Sequence, residues 1–508
     1  MGKIRELFSD TLVYGISSIA ARFINYLLVP FYTMYFDPAA YGIIGLIYGA
    51  VVFLNVLFTF GMESSYLRYG ADRERSRDVF TSIQATIFGG ATLLVLASWL
   101  FMPLLAPLLG LDAFTSVPQE EIAGPTAALG LHPFTAESLF LMMLAILWLD
   151  ALTLVPFAEL RLVRKTLTYA LIRLGNVIVN VALNLYLVIW AGWGIEAVLA
   201  SNLIASLLTV AVLAGFTSDM YRGRWRREYI RRALWFGIPY IPAGLSHAVN
   251  EVLSRFAVNN MPQEAVDRLY GSQYTAEDIT GIFNACIKLS VFMLLAVQMF
   301  RMAWLPFVMR QSESDDTRKT FAEVFTWFNL AAAVVFIGVG LFVEQLVQIR
   351  VPLLGGTLID SRYWMGLYIV PWLLMAYWFQ GWFLNFMAGV FIKEKMWYFS
   401  IIAVIGALIT LVGNIYLVPL YGMQGAVWVK LLCFFSMAIL IHAVMQRVYP
   451  VPYNMKKNFM IVLFSGAVVA VGNGFGTDFF EPLFAKMVLF VLSLSFLALI
   501  GISERQKR

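Results

Sequence analysis

The chain has 508 residues, of which 60% are apolar and only 13% are Asp, Glu, Lys or Arg. Soluble domains carry roughly 25% charged residues, so a soluble protein is excluded, and the mean hydropathy of +0.77 agrees. Lys and Arg number 36 against 31 Asp and Glu, a small excess whose placement matters more than its sum.

A membrane helix needs about 20 apolar residues. Runs of that length occur at 11–35, 41–62, 79–102, 138–157, 169–190, 195–216, 233–258, 279–306, 321–343, 364–391, 398–418, 423–446, 458–476 and 483–502. They predict an all-α polytopic membrane protein of about fourteen transmembrane helices, with no room for a large extramembrane catalytic domain. The runs are continuous and do not alternate, which argues against a β-barrel. The charged start, MGKIRELFSD, leads into the first run without a small-residue cleavage pattern, so that run reads as a retained helix. Glu6 stands where a myristoylation signal needs Ser or Thr.

Basic residues in alternate loops set the orientation. With Lys3 and Arg5 in the cytoplasm, the same side receives Arg68, Arg73, Arg75 and Arg77, then Arg161, Arg164 and Lys165. It also receives the linker arginines from Arg222 to Arg232, and later Arg310, Lys393, Lys395, Arg447, Lys456 and Lys457. The opposite side receives only Arg268, Arg350, Arg362 and Lys486, and its longest loop, 103–137, contains no Lys or Arg. Both termini are therefore expected in the cytoplasm.

Two stretches repeat at an offset of about 230 residues. NLYLVIWAGWGIEAV starts at Asn184 and NIYLVPLYGMQGAV at Asn414, pairing Tyr186 with Tyr416 and Gly192 with Gly422. The offset spans six runs, an even number, so the repeat is parallel, an arrangement found in transporters. The expected organisation is an N-lobe of six helices (1–217), a basic cytoplasmic linker (218–232), a C-lobe of six helices (233–446) and two additional helices (447–508). The linker arginines serve as topology determinants, with anionic lipid head groups as a secondary contact.

Ionised groups in hydrocarbon cost at least roughly 2.5–3.5 kcal/mol, so they belong in the bundle interior or a hydrated cavity. The intramembrane cations are Arg22, Arg173, Arg255, Lys288, Arg301 and Lys430; the anions are Asp150, Glu196 and Glu251. Ser18, Arg22 and Asn25 share one helical stripe. On the seventh helix, the equivalent repeat position, His247, Asn250, Glu251, Ser254 and Arg255 make another. Arg22, Asn25, His247, Asn250, Arg255, Lys288 and Arg301 are the candidate substrate-binding residues of a net cationic central cavity, which implies an anionic ligand. Arg301 and Arg173 also lie near enough to the inner face to snorkel. Glu251 and Asp150 are candidate ion-coupling carboxylates. Glu251 could instead neutralise Arg255 one turn away, and Asp150 could instead make a helix contact. Cys286 and Cys433 read as buried small apolar residues, and three His argue against a zinc site.

The chain resembles the polysaccharide-export flippases of the multidrug/oligosaccharidyl-lipid/polysaccharide exporter superfamily. The resemblance is carried in order by YGISSIAARFINYLLVPFYTMYFDPAAYGIIGL from Tyr14, FGMESSYLRYG from Phe60, YGSQYTAEDITGIFNACIKL from Tyr270 and MFRMAWLPFVMR from Met299. Where that family often has Asp-Arg late in helix seven, this chain has Ser254-Arg255. The resemblance implies a monomeric flippase of the bacterial inner membrane that moves polyprenyl-pyrophosphate-linked oligosaccharide by alternating access. It would use no cofactor, draw on a Na⁺ or H⁺ gradient, and have membrane lipids and glycan-assembly proteins as partners but no nucleic acid. Alternatives are a cation-coupled drug or metabolite exporter of the same fold and a peptidoglycan lipid-precursor flippase. A membrane glycosyltransferase or polymerase fits less well, since the long outer loop has no Arg and a single His, His132.

Overall fold

A computed structural model describes residues 26, 28–108, 136–238, 240–309, 315–352, 355–393, 395, 397–474 and 482–505. Contacts divide the chain into two compact units. Unit 1 comprises Met1–Gln263 with Ser272–Gly281, and unit 2 comprises Glu264–Gly271 with Ile282–Arg508.

Unit 1 contains α1 (Pro38–Thr59), α2 (Met62–Tyr69), α3 (Ser76–Leu100), α4 (Ala136–Leu162), α5 (Thr166–Leu185), α6 (Ile195–Phe216), α7 (Arg227–Gly237) and α8 (Tyr240–Asn259). Asp37 caps α1 by accepting from the Ala40 N–H at 2.7 Å, and Pro38 opens it; both residues suit those positions. At its other end Phe60 (φ 50°) and Gly61 (φ 65°) turn the chain onto α2. A side chain at Gly61 would strike the Gly237 backbone, so glycine is required there for space as well as for conformation. Helix α4 packs against α3 and α6, and α8 packs against α1.

Unit 2 is built from α10 (Ala276–Leu289), which starts within unit 1, then α11 (Val291–Met309), α12 (Asp315–Val347), α13 (Val370–Phe386), α14 (Trp397–Val448), α15 (Met455–Gly474) and α16 (Pro482–Arg505), with the short α9 (Gln263–Tyr270) before them. A two-stranded antiparallel hairpin pairs Arg350 with Thr357. At its centre Asn329 of α12 is fully buried. Its amide oxygen accepts from the indole N–H groups of Trp378 (2.8 Å) and Trp382 (2.5 Å), and its Nδ2 donates to Asn458 Oδ1 at 2.9 Å. One amide thereby ties α12, α13 and α15 together in a core that offers few other polar partners.

Among the described residues, ten helices are long and apolar enough to cross a membrane, or eleven with the pair α10 and α11, which is bent by 46°. The longest, α14, has 52 residues, but Gly422 (φ 56°, ψ −133°) breaks it. Cys433 Sγ donates to the Gly406 carbonyl at 3.4 Å; a straight helix would separate those residues by about 40 Å. Helix α14 is therefore a hairpin of two crossings, matching the expected runs at 398–418 and 423–446. The expected seventh crossing, α8, falls below this threshold because His247, Asn250, Glu251 and Arg255 dilute it. The expected first crossing, 11–35, lies mostly outside the described residues. Among the described residues this makes twelve crossings, or thirteen with α8.

Three edges differ from the sequence expectation. The eighth run is two helices that meet at Ser290, whose hydroxyl donates back to the Ile287 carbonyl at 2.6 Å. The end of the fifth is a π-helical turn, Tyr186–Trp190. The seventh run begins inside α7, a separate helix that holds the last six residues of the basic linker. The repeated hairpins agree in detail. Gly192 (φ 67°) and Gly422 both take positive φ. Asn184 and Asn414 are both buried and both donate to the carbonyl one turn earlier, at 2.9 and 2.7 Å.

Candidate functional site

Unit 1 contains a cavity of about 450 Å³ between its spanning helices. Four polar stripes at helical spacing build it. Helix α1 contributes Asn55 and Thr59, α4 contributes Asp150, Thr153, Phe157 and Arg161, α5 contributes Tyr169, Arg173 and Asn176, and α6 contributes Asn202, Ser206 and Thr209; Glu63 of α2 closes one end. Each of α1, α4, α5 and α6 remains long and apolar enough to span.

The wall is held by hydrogen bonds between helices. Ser206 Oγ donates to Asp150 Oδ1 at 2.9 Å. Asn176 Nδ2 donates to Thr209 Oγ1 at 2.8 Å, and that hydroxyl donates to the Ala205 carbonyl at 2.8 Å. Asn202 Nδ2 donates to the Tyr48 hydroxyl at 3.2 Å. The Arg173 guanidinium lies 4.5 Å from the centroid of the Phe157 ring and 5.8 Å from that of Tyr169, a placement that favours a cation in a partly dry setting. Arg161 pairs with Glu63. Next to this pair Glu159 is buried and accepts from the Tyr66 hydroxyl at 2.6 Å and from Arg73 at 2.9 Å. Burial and the bond to that carboxylate push the Tyr66 phenol well above its usual range. Two buried atoms facing this region, Asn55 Oδ1 and Arg161 Nε, have no hydrogen-bond partner among the described residues.

The arrangement can bind a group rich in hydrogen-bonding atoms. Its amides and hydroxyls donate and accept, and its two acids and two guanidiniums balance formally. Among the described residues, no cluster of His, Cys, Asp or Glu has metal-site geometry.

Of the sequence-derived candidates, Asp150 lines this cavity. Arg22 and Asn25 lie outside the described residues. On α8, Asn250 is buried, Glu251 and Arg255 are half-buried and His247 is exposed; Arg255 Nε is buried without a hydrogen-bond partner. None of these four is part of the cavity wall. Lys288 on α10 is half-buried and Arg301 on α11 is exposed, both in unit 2. Lys430, also in unit 2, is buried, with its ammonium 3.1 Å from the Tyr377 hydroxyl. Glu196 accepts from the Gly194 N–H at 2.9 Å and so caps α6. Asn55, Asn176, Asn202, Ser206 and Thr209 were not among the candidates. Their signal was the recurring i, i+3/i+4, i+7 spacing of small polar residues in consecutive runs.

Compared with solved structures, the chain is similar to a lipid II flippase, MurJ, in an inward closed conformation. The TM-score is 0.67 with 15% identity, over 97% of this chain and 99% of that one. It is also similar to a multidrug resistance MATE family transporter of the MOP superfamily. The inward-facing form gives a TM-score of 0.58 with 13% identity, covering 90% of this chain and 96% of that one. The outward-facing form gives 0.52 with 13% identity, covering 90% and 94%. No family model matches the chain, and no curated protein matches it by sequence. The chain thus has the fold of a multi-pass membrane transporter. That fold is the one seen in the lipid II flippase and in the MATE transporter of the MOP superfamily.

Proposed function

We propose that the protein is a flippase that carries polyprenyl-pyrophosphate-linked oligosaccharide from the cytoplasmic to the outer leaflet of a bacterial inner membrane by alternating access. The observation that carries this reading is the unit 1 cavity. Its amides, hydroxyls and matched charges suit the uncharged, hydroxyl-rich glycan part of such a substrate, and the fold is that of a protein described as a lipid II flippase. In this reading the glycan takes up the cavity's hydrogen bonds. Arg22, Arg255 and Lys288 are the residues proposed to meet the pyrophosphate, and Asn25, His247, Asn250 and Arg301 are further proposed substrate-binding residues. Glu251 and Asp150 are the coupling carboxylates for a Na⁺ or H⁺ gradient.

The test is glycan export in cells carrying Arg22→Ala, Arg255→Ala, Lys288→Ala or the cavity change Asn202→Leu, each checked for insertion. Export is expected to fall for all four. Normal export with all three cation variants would remove the pyrophosphate assignment, and normal export with Asn202→Leu would remove the cavity from the glycan's path.

A second reading, a cation-coupled exporter of drugs or metabolites, is favoured by the Asp150 carboxylate on the cavity wall. Reconstituted vesicles separate the two: the flippase reading expects lipid-linked oligosaccharide to cross and an organic cation not to.

A further inference from the structure

The segment between α6 and α8 contains six arginines, Arg222, Arg224, Arg226, Arg227, Arg231 and Arg232. Three are neutralised within unit 1. Arg226 Nε lies 2.8 Å from Asp78 Oδ2, Arg232 lies 2.5 Å from Glu228 and Arg222 lies 3.5 Å from Asp219. Arg224, Arg227 and Arg231 are exposed and form no ion pair among the described residues. On α7, Arg227, Arg231 and Trp235 follow at i, i+4 and i+8, so they make one stripe. Trp235 is 85% exposed and Trp225, just before the helix, is 60% exposed.

This exposure does not come from a loosely held segment. The opposite face of α7 buries Ala233 and Gly237. Ser65 Oγ donates to the Ala233 carbonyl at 2.8 Å, and a side chain at Gly237 would strike the Phe60 carbonyl. Upstream, Asp78 Oδ1 accepts from the Arg224 N–H at 2.8 Å and Ser82 Oγ accepts from the Arg226 N–H at 2.9 Å. The segment is fastened at both ends to α2 and α3. It lies between the end of one membrane helix at Phe216 and the start of the next at Tyr240. A tryptophan held outward at that level, flanked by unpaired guanidiniums, has the chemistry of the head-group layer. Indoles concentrate there, and guanidinium forks match phosphate oxygens.

We propose that Arg224, Arg227, Arg231 and Trp235 form a docking surface for the anionic phospholipid head groups of the adjoining leaflet. The surface fixes the depth of unit 1 in the bilayer. The three paired arginines contribute little, because their charge is already met.

The test uses the full-length protein, purified in detergent, stripped of lipid and titrated with phosphatidylglycerol, phosphatidylcholine or inorganic phosphate. Bound lipid is counted by native mass spectrometry. Phosphatidylglycerol is expected to be retained in preference to phosphatidylcholine. Each basic residue near an anionic surface is worth a factor of about five, so R224Q/R227Q/R231Q should bind phosphatidylglycerol on the order of 100-fold more weakly. The single change R231Q, on an exposed side chain, should weaken it about fivefold. R222Q/R232Q should bind like the wild type, and W235A should weaken both lipids. Equal retention of the two lipids by the wild type would overturn the proposal. So would unchanged binding by R231Q and the triple variant, or full competition by inorganic phosphate, which would indicate a free-anion site.

Discussion

Replacing Asn329 with Leu keeps the number and branching of the side-chain heavy atoms and removes the amide that joins α12, α13 and α15. The change strands three buried groups: the indole N–H of Trp378, the indole N–H of Trp382 and the Asn458 amide oxygen. The Phe325 carbonyl, which also accepts from Asn329 at 2.8 Å, lies one turn back in the same helix and keeps its backbone bond. Hydrogen bonds between membrane helices measure about 0.6 kcal/mol on average and about 1.7 at most, so three lost partners amount to roughly 2–5 kcal/mol. The melting midpoint of purified Asn329→Leu should therefore fall by several degrees. Asn458→Leu should fall less, since its bond to Thr326 is long at 3.4 Å. A double-mutant cycle of Asn329→Leu with Trp378→Phe should show a coupling of at least about 0.5 kcal/mol, the range for contacting residues. A midpoint within one degree of wild type, or strictly additive effects, would refute the view that this amide joins the three helices.

Gly422→Ala should destabilise the protein in the same melting assay. It replaces a positive-φ glycine, at roughly 1–2 kcal/mol, and an added methyl also runs into the Tyr270 hydroxyl that accepts from the Met423 N–H; an unchanged midpoint would contradict this. Cys286 and Cys433 are free and buried, so a maleimide should label the protein only after denaturation, and rapid labelling in the native state would show that one of the sites opens. Asp150→Asn keeps an acceptor for Ser206 and removes the charge. Transport by this variant should lose its dependence on the coupling gradient while membrane insertion stays normal, and an unchanged pH and Na⁺ profile would remove Asp150 from coupling.

Much of the fold was legible because hydrophobic length is a strong signal and a turn glycine a specific one. The pairing of Asn184 with Asn414 and of Gly192 with Gly422 was readable as a repeat, and both members of each pair take the same structural part. The break at Ser290 was not readable, since no proline or glycine marks it. The linker helix α7 was hidden because its arginines read as topology signals, while its buried face is short. The cavity shows the same limit. Asp150 and Arg173 stood out as charges in apolar runs, but Asn55, Asn202 and Ser206 are neutral and hardly lower the hydropathy of their helices. A single run reveals its own polar stripe, and only packing shows that four stripes face a common space. The reverse holds on α8, where a conspicuous stripe from His247 to Arg255 is divided between buried and exposed positions and is absent from the cavity wall.

The equal number of acids and guanidiniums around that space, Glu63 and Asp150 with Arg161 and Arg173, has an electrical consequence. A wall of zero net charge does no work against the membrane voltage when it is displaced through the bilayer, whereas each uncompensated charge exchanges about 2.3 kcal/mol per 100 mV. This wall's own contribution to a voltage-dependent movement would then be nil. A proton on Asp150 would give the wall a single positive charge and make that movement responsive to the cell's potential.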